Sequence, residues 1–189
     1  MIAIWGLLLG IPLLAFGGTA CVSVERLSGF IEWFKSSKRV ALALTVVAWF
    51  WTAHECDIIG IDVFDMILKR FPGQLWLMAA GLSYLTFIWM PANLSVRALT
   101  GILMLIPAEL FKTTRLLLPE SGFASVHLFV ITAYLGAIVG MYGMFYPWRL
   151  EKGMLWFQRG AVRMRALGAA CALWGAALVV VGISLAVKT

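Results

Sequence analysis

With 189 residues, 62% of them hydrophobic and only 13% charged, the chain has too few polar side chains to cover the surface of a soluble domain. A mean hydropathy of +0.95 excludes a soluble enzyme or binding module and points to a polytopic membrane protein. The net charge of +6 does not indicate a nucleic-acid partner, because the Lys and Arg residues sit in short segments between apolar runs, where they set topology and meet anionic headgroups.

The first apolar run covers residues 2–24, long enough to cross a hydrocarbon core of ~30 Å. No Lys or Arg precedes it, so it lacks the basic start of a signal peptide and reads as an uncleaved first span. In residues 25–39, Leu27, Phe30, Ile31 and Phe34 share one helical face while Glu25, Arg26, Glu32 and Lys35 take the other. That is the pattern of a helix lying in the headgroups. The second span begins at Val40 and meets His54 after roughly 21 Å of helix. Residues 62–71 form a second amphipathic piece, ended by Pro72-Gly73. The third span covers 74–90, and the fourth opens at Ala98 and reaches Glu109 just past Pro107. Residues 113–122 read as a polar break, 123–146 as a clean fifth span, 148–165 as a second basic elbow and 166–187 as the sixth span.

The expected fold is thus an all-α polytopic membrane protein, one transmembrane domain with about six transmembrane helices. They form hairpin pairs at approximately 2–53, 74–111 and 123–187, joined by amphipathic connectors at 25–39, 62–71 and 148–165. The first elbow carries Arg26, Trp33, Lys35, Lys38 and Arg39; the second carries Arg149, Lys152, Trp156, Arg159, Arg163 and Arg165. These are the residues expected at the headgroups. The positive-inside rule places both elbows in the cytoplasm and both termini outside, in a bacterial inner membrane.

The two elbows echo one another. Gly17, Arg26-Leu27, Trp33-Phe34, Ala43-Leu44, Trp51 and Ala53 recur at a constant offset of 123 residues as Gly140, Arg149-Leu150, Trp156-Phe157, Ala166-Leu167, Trp174 and Ala176. Membrane insertion alone makes apolar hairpins with cationic elbows look alike, but paired Arg and Trp-Phe positions are harder to obtain that way. Residues 17–53 and 140–176 are therefore read as a parallel internal repeat. Pro91, Leu94 and Arg97-Ala98-Leu99 give a thinner echo of the last hairpin. With Tyr146-Pro147-Trp148-Arg149 and Arg165-Ala166-Leu167-Gly168, that last hairpin also resembles small two-span bacterial inner-membrane proteins. The resemblance covers roughly a quarter of the chain, rests on a loose motif and implies no activity.

Gly6 and Gly10, and Gly136 and Gly140, are small-xxx-small pairs that let helix backbones approach, within the chain or between subunits. Toward the outer side, His54-Glu55-Cys56-Asp57 ends the second span, Glu109 lies in the fourth and His127 enters the fifth; His54, Asp57, Glu109 and His127 are the candidates. Such groups inside a membrane suggest a proton or ion site. His54, Asp57 and His127 are also the candidate metal ligands, and His54 with His127 the only pair for a haem. The plainer reading pairs Glu109 with Lys112 one turn on and leaves the histidines at the interface. Nucleotide, serine-hydrolase and zincin motifs are absent, and Cys21, Cys56 and Cys171 form no framework. Three functions follow: a non-enzymatic structural or accessory subunit that assembles with other membrane proteins or itself, a small transporter or channel for protons, ions or small solutes, or a metal- or haem-binding redox protein. No cofactor is assigned.

Overall fold

The structure, a computed structural model, describes residues 2–59, 73–90, 93–117 and 123–188; the expected connector at 62–71 lies outside them. Among the described residues every regular element is helical. Helix α1 spans Ile2–Val22. Ser23 and Ser37, both extended, separate α2 (Val24–Ser36) from its neighbours, and α3 runs Lys38–Ile59. Gly73, at φ 95°, opens α4 (Gln74–Trp89), a backbone angle that costs glycine nothing. Asn93, at φ 56°, opens α5 (Leu94–Leu117). Pro147 occupies the first turn of α7 (Pro147–Gln158), directly after α6 (Phe123–Phe145), because its missing N–H is not needed there. Helix α8 covers Ala161–Lys188.

Among the described residues, four helical stretches are long and apolar enough to cross a membrane: Ile2–Val22, Leu94–Arg115, Val126–Phe145 and Ala161–Leu185. Helix α4 is apolar but has only 16 residues, about 24 Å of rise. Helix α3 has the length, at 22 residues, but His54, Glu55 and Asp57 dilute its apolar character.

Two expected boundaries shift. The fourth span does not stop near Glu109: Pro107 lies inside α5, which continues through the threonines expected to break it. Their hydroxyls donate to main-chain carbonyls one turn back, Thr113 to Glu109 and Thr114 to Leu110, so the polar side chains are satisfied without leaving the helix. The second elbow is also shorter than 148–165. Helix α7 ends at Gln158, and Arg163 and Arg165 belong to the first turns of α8.

Helix direction alternates through the bundle, and the closest packing joins arms of different hairpins: α1 lies on α8, α6 on α5, and α3 on both α5 and α4. Small residues decide this. A Cβ placed on Gly6 would sit 2.8 Å from the Leu178 carbonyl oxygen, on Gly10 2.7 Å from that of Gly175, and on Gly17 2.4 Å from that of Gly168. Gly168, Gly175 and Gly182 recur every seven residues and face α1 in reverse order, so the two helices are antiparallel and in backbone contact. The α5–α6 contact is built likewise, with Gly140 against the Thr100 carbonyl and Gly143 against the Thr100 side chain. Gly136 is in ordinary contact, 3.5 Å from the Leu103 oxygen.

Ile2, Leu110, Phe129, Ala133, Leu178 and Leu185 form the core where α1, α5, α6 and α8 meet. Helices α3 and α4 form a side layer around Ala53, Leu75 and Ala79. At one pole, the elbow end, Ala20, Leu27 and Met164 seal α2 against α1 and α8. The α1–α2–α3 and α6–α7–α8 segments break at positions that keep the offset seen in the sequence: Ser23 matches Tyr146, and Ser37 matches Gly160.

Adjacent glycines test the seam. Gly17→Ala drives a methyl into the α8 backbone and should cost about 1–3 kcal/mol, whereas Gly18→Ala meets nothing within 4 Å and should be neutral or stabilising by up to ~1 kcal/mol. Thermal unfolding in detergent, followed by circular dichroism, reads the difference; equal melting of the two variants would refute the seam.

Candidate functional site

Away from the elbows, the far end of the bundle gathers a partly buried ionic cluster from α3 and α5. These two helices run parallel, and their register brings the last turns of α3 beside the polar end of α5. Glu55 is 3% exposed. Both its carboxylate oxygens are used: the Trp51 indole N–H donates to Oε1 at 3.1 Å, and the Lys112 ammonium donates to Oε2 at 2.9 Å. Lys112 also donates to Glu109 Oε1 at 3.0 Å. A buried carboxylate survives in an apolar setting only when so paired. The Lys112 side chain is 41% exposed, its stem covering apolar surface while the ammonium stays at the rim of the cluster. Among the described residues one ammonium serves two carboxylates.

Of the residues singled out in the sequence, Glu109 joins this cluster, and its pairing with Lys112 follows the i, i+3 geometry of a helix. His54, next to Glu55, points away from it and is exposed. His127 is half-buried near the start of α6, a helix that does not pack closely on α3. The structure therefore does not bring the two histidines together. The Asp57 side chain lies outside the described ones. Among the described residues no three His, Cys, Asp or Glu side chains gather as metal ligands would.

Glu55 was not singled out from sequence, and Trp51 only as a position of the repeat. Their spacing of four marks them as partners on one helix face, but the α3–α5 register that delivers Lys112 to Glu55 has no signature in the chain.

The elbow end carries a second polar junction. Lys35 of α2 forms an ion pair with Glu151 of α7, and Asn93, at the start of α5, donates to the other Glu151 oxygen at 3.3 Å. Three separate segments are thus held by one carboxylate. Around it, Arg26, Trp33, Lys38, Arg39, Arg149, Lys152, Trp156, Arg159, Arg163 and Arg165 are exposed. Arg163 stacks over the Trp156 ring at 4.1 Å and Arg149 over that of Tyr146 at 5.2 Å, which presents flat cationic surfaces beside aromatic rings. Deeper in the bundle, indole N–H groups are satisfied between helices: Trp49 donates to Thr86 and Trp174 to Thr132, each at 3.0 Å.

The ionic cluster makes an ordered prediction. Lys112→Met strands Glu55 with only an indole donor and should cost about 1–3 kcal/mol. Glu109→Gln, which leaves the Glu55–Lys112 bond intact, should cost less than about 1 kcal/mol. The same detergent unfolding assay decides it, and a reversed order would contradict the arrangement described.

Comparison of the chain with known protein families, curated proteins and solved structures finds no match to any family model, curated sequence or solved fold.

Proposed function

We propose that this chain is an integral membrane protein with six crossings that serves as a non-enzymatic structural or accessory subunit, assembling with other membrane proteins or with itself. The observation that carries the reading is the use made of its polar residues. Lys112 ties Glu55 and Glu109 together across α3 and α5, and Glu151 ties α2, α7 and the start of α5. Both junctions join helices, and in each the carboxylates are taken up by side chains of the neighbouring segments. Helices α3 and α4 complete the six crossings, α4 by drawing the headgroups inward over its shorter length. The alternating helix direction is compatible with both elbows in the cytoplasm and both termini outside, in the inner membrane of a bacterium. The matched helix breaks at 23 and 146 and at 37 and 160 support reading residues 17–53 and 140–176 as copies of one unit.

Purification from native membranes in a mild detergent should recover the protein in an assembly larger than one chain. A strictly monomeric, partnerless protein would sink the proposal.

The second carboxylate on Lys112 favours one further reading, a conduit or carrier for protons or cations. Two carboxylates around one ammonium can take up a positive charge that Glu109→Gln would exclude. In proteoliposomes that substitution should then abolish proton or cation flux. Absence of flux in the native protein removes this reading.

A further inference from the structure

We infer that the elbow end contains a binding site for a phosphate ester, built between the start of α3 and the start of α5. A cavity of about 250 Å³ opens there. Its polar lining comes from Lys35, Ser36, Ser37, Lys38 and Ser95, and its apolar side from Ala41, Phe87 and Leu94.

Four features of this lining select an anion. The first turns of two helices, 22 and 24 residues long, border one space, and a helix start presents main-chain N–H groups without intrahelical acceptors together with the positive end of its dipole. In α3 the Ser37 hydroxyl and carbonyl occupy only the N–H groups of Val40 and Ala41. Ser95 is 1% exposed and its hydroxyl has no hydrogen-bond partner, an unusual state for a group so deeply buried. Lys38 is exposed and makes no ion pair among the described residues, whereas Lys35 is held by Glu151. The uncompensated positive charge therefore comes from Lys38 and the two helix starts.

The Ser36 hydroxyl donates to the Trp33 carbonyl at 3.2 Å. That leaves the Ser37 and Ser95 hydroxyls, the Lys38 ammonium and the helix-start N–H groups as donors, a set that matches the several acceptor oxygens of a phosphate better than the two of a carboxylate. The site's height argues for an ester. It lies among the cationic elbows, where a bilayer carries its phosphates, and the Phe87 side of the cavity suits the apolar remainder of a phospholipid. The proposal rests on the membrane reading above, and that reading fails separately, by recovery of the protein without detergent.

Native mass spectrometry of the detergent-solubilised full chain tests it, with phosphatidylglycerol, phosphatidylcholine and inorganic phosphate as probes. The native protein should retain one phosphatidylglycerol in preference to phosphatidylcholine, and Lys38→Gln combined with Ser95→Ala should weaken that binding about tenfold or more. Lys152→Gln, on the exposed face of α7, should leave it unchanged. If inorganic phosphate binds instead, with the same sensitivity to the double substitution, the site stands and its ligand is free phosphate. Lys38→Gln alone, a change at an exposed position, supplies the measurement if the double variant does not fold; a several-fold loss is expected. Equal binding of every probe to native and substituted proteins would overturn the site.

Discussion

Backbone contact between α1 and α8 is the interaction on which the rest of this bundle depends. In lipid, burying an apolar side chain between helices gains little over leaving it among acyl chains, so association falls to close packing and weak polar contacts. Gly6, Gly10 and Gly17 against Gly168, Gly175 and Gly182 bring carbonyl oxygens and Cα atoms of the two helices together, where dispersion and Cα–H···O contacts act along the whole seam. Their antiparallel contact sets the start of α1 and the end of α8 at one pole. Both amphipathic elbows are then obliged to lie at the other.

Polar chemistry takes what remains. At the far pole a carboxylate, an ammonium and a second carboxylate bind α3 to α5, and at the elbow pole Glu151 gathers three segments. Indole-to-threonine bonds add direction at intermediate depth. Each threonine so used also returns its own proton to a carbonyl one turn back, so a single hydroxyl serves both its helix and its neighbour.

Much of the architecture was legible in the chain because a bilayer imposes simple rules. Apolar run length located the helices, elbow charge located the pole they share, and the amphipathic stretch at 25–39 appears as α2. What escaped was pairing. Sequence adjacency makes Ile2–Val22 and Lys38–Ile59 look like natural partners, yet the seven-residue glycine rhythm of α8 answers α1 better, and the rhythm became meaningful only with the facing helix in view. Glu109 stood out because a lone acid in an apolar run is conspicuous; Glu55 did not, because it sits in a polar cluster that resembles a helix end. Its burial comes from a parallel register between two helices with α4 between them in the chain, information carried by packing rather than by local pattern. Residues 113–117 misled for the opposite reason. Threonine pairs look like a break, but inside a membrane their hydroxyls satisfy themselves on the helix and allow it to continue.

The α1–α8 seam also fixes an order of events during synthesis. Helix α1 is made before α8, and its glycine face stays without that partner until α8 follows. It can wait because its backbone is satisfied internally and lipid is an adequate temporary neighbour. A chain halted anywhere before residue 168 would leave that face open along its length, a surface shaped for an antiparallel helix bearing small residues. Closure of the bundle therefore waits on the synthesis of α8.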